Sequence, residues 1–170
     1  LRQGDLDALC GVYAVINAVR RAIGTRAPLD EGELKLLFSK LMRAANKEIG
    51  ALRATTYGMD AAPLWKLTGA ARTHIAKRHG LELTAERPFH GQKRVPSNDV
   101  LLWLDQALPQ TNSAVLVGLE GEFDHWTVAH RFTTAYLAFF DSAGFSRVRI
   151  ERCRRESIID GASIIWLRLA

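Results

Sequence analysis

The sequence predicts an α+β domain with N-terminal helices packed on a mainly antiparallel C-terminal β-sheet. Up to Leu108 the apolar residues recur at three- and four-residue spacing, the period of amphipathic helices. Beyond it they fall into short β-branched or aromatic runs separated by turn signals, at 114–119, 125–132, 135–140, 148–150 and 162–169. Helices first and strands later argue for a segregated α+β arrangement and against alternating βαβ units. A length of 170 residues with 48% hydrophobic content suits one domain, 1–170, with a real core.

The first helix follows Cys10, where Val12, Val15, Ile16, Val19 and Ile23 share one face. A second starts at Asp30 as N-cap, with Glu33 completing a capping box, and carries Leu34, Leu37, Phe38, Leu41 and Met42 on its apolar side. Residues 49–58 have weak periodicity and read as a connecting loop, with Thr55, Thr56 and Tyr57 available to line a cleft. A third helix runs from near Asp60 towards His79, tolerating Pro63 in its first turn and stopping at Gly80. Residues 81–84 form a short strand, a polar passage follows through Pro88, Gly91 and Pro96, and Ser97 or Asn98 caps a helix bearing Val100, Leu101, Leu104 and Leu108.

Composition narrows the function classes. There is no run of eighteen apolar residues, so no membrane span is expected, and no phosphate-binding glycine motif or Gly-x-Ser-x-Gly elbow. No cofactor is implied. Metal ligation is not expected either, since His74 and His79 are five apart on a helix and His90 stands in a loop without neighbouring ligands. The net charge of +5 gathers at Arg72, Lys77 and Arg78 and at Arg147, Arg149, Arg152, Arg154 and Arg155. Arg147 and Arg149 alternate with Val148 and Ile150 as on a strand with one solvated face, and no nucleic-acid-binding motif accompanies them. Only Cys10 and Cys153 occur, which is no disulfide framework and favours a reducing, cytoplasmic compartment. Because the chain begins at Leu1 and not Met, as if cut or trimmed, a secreted or delivered protein stays open.

The chemistry-bearing stretch is Gln3 to Val19. Cys10 stands at the N-terminus of the first helix, where unpaired N–H groups and the macrodipole stabilise negative charge and favour the thiolate that attacks. A lone cysteine is ordinarily a small buried hydrophobe; what distinguishes Cys10 is its company. Gln3 lies seven residues upstream, Gly11 follows directly, and His125 and Asp141 come later. His125 sits just after a turn at the head of a strand, where an imidazole can reach another element. His130 competes with it, but residues five apart on a strand face opposite sides, so only one can face Cys10. Asp141 ends an apolar run ahead of a turn, a place turn chemistry alone would explain. A three-residue loop at 133–135 pairs Phe132 with Tyr136 and Thr127 with Asp141, placing the acid diagonal to His125 on one face; a triad therefore requires an odd loop or a bulge.

The order Gln3, Cys10, His125, Asp141 resembles the papain-like cysteine peptidases. The short Gln-to-Cys segment, the Leu-Cys-Gly start and an aspartate as third member are most similar to the bacterial bacteriocin-processing, C39-like peptidases, with a fainter likeness to Josephin-type deubiquitinases. The resemblance implies a papain-like fold and a cysteine peptidase cleaving peptide or isopeptide bonds. Cys10 would then be nucleophile, His125 base, Asp141 orienter and Gln3 oxyanion donor, with Gly11, Tyr57 and Trp126 beside the substrate. It also implies a peptide or protein partner with a small residue, often glycine, before the scissile bond. Candidate cleft rims are 55–57 and 88–97. A thiol acyltransferase or deamidase using the same residues, and a catalytically silent binding module, remain alternatives. Cys153, between two arginines but with no histidine near it in sequence, reads as incidental.

Overall fold

The computed structural model describes Gln3 and residues 7–170. Helix α1 (Cys10–Ile23) leads into a 3-10 turn, then α2 (Glu31–Ile49), α3 (Ala51–Tyr57) and α4 (Ala61–His79). After β1 (Leu83–Glu86) and α5 (Ser97–Ala107) come β2 (Ser113–Leu119), β3 (His125–Phe132), β4 (Tyr136–Phe140) and β5 (Arg147–Arg149). Helix α6 (Ile150–Glu156) and β6 (Ile159–Leu169) close the chain. The six strands form one sheet in the order β1-β6-β2-β3-β4-β5, with every pairing antiparallel.

The apolar pattern decides the layers. Val12, Val15, Ile16 and Val19 of α1 pack with Leu37 and Leu41 of α2 and Leu64, Leu67 and Ile75 of α4 against Leu116, Val128 and Ile165 on one face of the sheet. On the other face, Val100, Leu101 and Leu104 of α5 and Ile150 and Cys153 of α6 meet Val115, Val117, Ala129 and Leu137. Covered on both sides, β2 is buried along its whole length and is a continuous apolar run without alternation. The N-terminal helices therefore pack on the C-terminal sheet as the sequence predicts, and α5 and α6 add a third layer behind it.

Local signals hold at several boundaries. The Asp30 carboxylate accepts from the Glu33 N–H at 2.8 Å, the capping bond, and Gly80 ends α4 in the left-handed conformation. Four details differ. Residues 49–58 are not a loop: 51–57 form α3, which buries only Ala54 and leaves Leu52 and Tyr57 exposed, so it has too little apolar stripe to be read. Residues 150–156 form α6, whose buried residues are only Ile150 and Cys153. Pro96 takes the N-cap position of α5, and the Ser97 hydroxyl instead donates to the Ser157 hydroxyl. The 88–97 passage packs behind the sheet, with Phe89 edge-on to Trp103 at 5.8 Å, and so is no cleft rim.

The β3–β4 hairpin meets the expectation of an odd loop or a bulge by the bulge, not by a three-residue loop. Phe132 pairs with Leu137, not Tyr136, so four residues connect the strands and the register near the turn is even. A bulge at His130 then slips the pairing by one, giving Ala129↔Phe139 and Val128↔Phe140. Continuing that register sets Thr127 opposite Asp141.

Candidate active site

Three chain segments converge at the N-terminal end of α1. That helix begins at Cys10, and no described side chain caps it. Asp7 shapes the approach: its carboxylate accepts from the Leu9 N–H at 3.0 Å, and its carbonyl accepts from Gln3 Nε2 at 2.8 Å. The Gln3 backbone N–H donates to the Ser142 carbonyl at 3.1 Å, which ties this first segment to the turn after β4. The Cys10 thiol is half-buried, with the Ala8 carbonyl 4.0 Å from its sulfur.

His125 opens β3 directly after Asp124, whose φ of 35° lies in the left-handed region that non-glycine residues rarely occupy. Its Nε2 lies 2.7 Å from Asp141 Oδ2. Nδ1 is thereby left for the Cys10 side, and the thiol is among the groups that favour charge on the ring. Burial disfavours charge on the ring, but Asp141 and Cys10 together outweigh it and raise the His125 pKa to about 9. Asp141 is almost fully enclosed. Burial would raise its pKa, yet the bonds from His125 and the Phe145 N–H hold it below the ordinary carboxylate value. Its second oxygen accepts from the Ala143 and Phe145 N–H groups at 2.8 and 3.1 Å, so the carboxylate belongs to the turn as well as to the imidazole.

A cleft of about 530 Å³ opens over these groups, lined among others by Gln3, Asp7, Cys10, Tyr57, Met59 and His125. Tyr57 is exposed on its rim at the end of α3. Trp126 is mostly buried, and its Nε1–H donates to the Met59 carbonyl at 2.7 Å; it forms cleft wall and core at once. Gly11 is not at the cleft. A Cβ there would stand 3.0 Å from Met59 Cγ and from Leu64 Cδ1, so the residue permits close approach of α1 to the start of α4.

The other candidates fall outside this group. His130 lies at the bulge, where Nδ1 accepts from Arg21 Nη1 at 2.8 Å at a separate groove near the far end of α1. Cys153 is buried under α6, and desolvation pushes its thiol up to about 11. Arg152 is bonded to Glu122 and Glu156, and Arg155 to Glu156, so acidic neighbours answer part of that basic run. Among the described residues, no three His, Cys, Asp or Glu side chains converge as metal ligands. None of the described helices is long and apolar enough to cross a membrane.

The crystal structure of the peptidase domain of Streptococcus ComA, a bifunctional ABC transporter of a quorum-sensing pathway, aligns with all of this chain. The alignment covers 96% of that domain at a TM-score of 0.51 and 17% sequence identity. The fold is papain-like. At that identity the likeness concerns the architecture, an α+β layer arrangement shared with that peptidase domain. No family model matches the sequence, and no curated protein does.

Sequence reasoning missed Asn17 and Ser142. Asn17 Nδ2 donates to Ser142 Oγ at 2.8 Å in a buried contact. The available signal was an amide set inside the apolar stripe of the first helix.

Proposed function

We propose that this protein is a cysteine peptidase that hydrolyses a peptide or isopeptide bond with Cys10 as nucleophile, His125 as general acid and base, Asp141 as orienter and Gln3 as oxyanion donor. The observation that carries the reading is the imidazole 2.7 Å from the Asp141 carboxylate, at a cleft that Cys10 and Gln3 also line. His125 takes the thiol proton, and the resulting thiolate attacks the amide carbonyl. Gln3 Nε2 has a second N–H beyond the one given to Asp7, and that hydrogen, with the Cys10 backbone N–H, serves the developing oxyanion. The C–N bond breaks as His125 returns its proton to the leaving amine. Water, deprotonated by the same imidazole, then cleaves the thioester and releases the acid.

The substrate is a peptide or protein with a small residue, such as glycine, before the scissile bond, as the likeness to leader-processing peptidases and deubiquitinases implies. A peptide library holding glycine pairs at varied positions, incubated with the native chain and with Cys10→Ser, tests the reading by mass spectrometry. Cleavage by the native chain alone supports it. Transfer to an added amine, or glutamine converted to glutamate without chain cleavage, would replace hydrolysis by acyl transfer or deamidation. An inert Cys10 and no product of any kind would leave the fold as a binding module.

A further inference from the structure

We propose that Asn17 and Ser142 form a positioning bridge that fixes the nucleophile's helix against the turn holding Asp141, a role that rests on the Cys10, His125, Asp141 reading above. Asn17 is seven residues beyond Cys10, two turns along α1, and so lies on the same side of the helix. Its helix neighbours Val15, Ile16, Ala18 and Val19 are wholly buried, and Asn17 itself is only 3% exposed. An amide in such surroundings costs stability unless it is bonded, and an aliphatic residue of similar size would avoid that cost. A single partner meets it across the chain: Ser142 Oγ, 2.8 Å away and itself only 7% exposed.

Ser142 is also where the other parts of the site meet. Its carbonyl accepts from the Gln3 N–H at 3.1 Å. Its neighbour Asp141 holds His125 at 2.7 Å. One residue thus touches the segment carrying Gln3, the helix carrying Cys10 and the turn carrying Asp141. Apolar packing between α1 and the sheet is non-directional and permits small slides of the helix, whereas a buried hydrogen bond does not. The bridge therefore sets the distance between thiol and imidazole without touching substrate.

The test is the titration of the His125 ring by NMR in the full chain, alongside Ser142→Ala, Asn17→Leu and the hydroxyl-retaining Ser142→Thr. Cys10 and Asp141 face that ring directly, and Asp124 and Asp60 line the same cleft. The expected result is a native midpoint near 9, a drop of about one pH unit or more in Ser142→Ala and Asn17→Leu, and return towards the native value in Ser142→Thr. Ser142 lies in a turn, so Ser142→Ala keeps the test usable if Asn17→Leu does not fold. Lower melting temperatures with an unmoved midpoint would overturn the bridge and leave the peptidase reading intact. A native midpoint near 6.5 would overturn both. Peptide cleavage is measured separately: its absence, with the midpoint still displaced and still sensitive to Ser142, would remove the peptidase function and leave the bridge.

Discussion

Nε2 of His125 and Oδ2 of Asp141 stand 2.7 Å apart, with the carboxylate side chain only 4% exposed and the ring 17%. That relationship depends on one extra residue in β3. Without the bulge at His130, the four-residue connection between β3 and β4 would carry its register down the hairpin and set Asp141 opposite Val128, on the wrong face for His125. The bulge returns the acid to the face of the base.

The two cysteines should separate by rate. At pH 6 iodoacetamide is expected to alkylate Cys10 and leave Cys153 essentially untouched, since burial pushes the Cys153 thiol up to about 11. His125→Ala should slow the Cys10 reaction at pH 6 by about 10–100-fold and change it little at pH 10, where bulk hydroxide supplies the thiolate. Mass spectrometry of the two tryptic peptides reads both sites in one sample. Equal rates in the native chain and His125→Ala at pH 6 would exclude a thiolate–imidazolium pair.

Stability should report the same interaction. His125 is raised from 6.5 to about 9, so its contribution is fully present below about pH 6.5 and is lost as pH rises through about 9. Asp141 is lowered from 3.8, so its contribution is present above pH 3.8 and is lost as pH falls through the lowered value. These are two views of one ion pair and are counted once. Thermal melts of the native chain are expected to be flat, as far as this pair is concerned, between about pH 4 and 6.5 and to fall towards pH 9. Asp141→Asn keeps the shape but removes the charge, so its alkaline decline should begin at lower pH. An unchanged pH profile in Asp141→Asn would mean the carboxylate does not charge the ring.

The fold was legible because α1 and α2 announce their buried faces, Pro63 and Gly80 mark the two ends of α4, and β2 is an uninterrupted apolar run. Helices α3 and α6 were not legible, since seven residues burying one or two side chains carry too little pattern to distinguish them from loops. At the candidate site, the places of Cys10 at a helix start and His125 at a strand head were legible. Asp141 needed the register, and the register turned on a bulge that no residue type at His130 advertises. The packing of Gly11 was not legible, because a glycine beside a cysteine says nothing of what lies above it; only the structure shows the approach of Met59 and Leu64.

Gln3 should act on turnover and not on the thiol. On the proposed function Gln3→Ala removes a donor to the oxyanion, for which losses of about 10²–10³ in kcat are usual, with little change in KM. Cys10 alkylation at pH 6 should stay close to native, because the amide touches Asp7 and the cleft and leaves the His125–Asp141 contact in place. A parallel collapse of alkylation would recast Gln3 as a structural anchor, acting through its backbone bond to Ser142.

Gly11→Ala tests the packing beside Cys10. The added methyl would meet Met59 Cγ and Leu64 Cδ1 at 3.0 Å and Met59 Sδ at 3.1 Å, inside ordinary contact distance. Both side chains belong to the core, and Leu64 is wholly buried, so relief requires α4 to shift or Met59 to change rotamer. Overpacking of this kind costs about 1–3 kcal/mol, which for a chain of this size lowers the melting temperature by roughly 2–10 °C. The Met59 carbonyl also holds the Trp126 indole at 2.7 Å, and Trp126 follows His125 directly. The strain therefore reaches the imidazole, and Gly11→Ala is expected to lower kcat in addition to stability. Adding Met59→Ala opens the space the methyl needs and should recover part of the kcat lost, even though Met59→Ala alone destabilises the core. Full activity in Gly11→Ala would show that the helix start tolerates displacement from α4, and that the close approach serves packing alone.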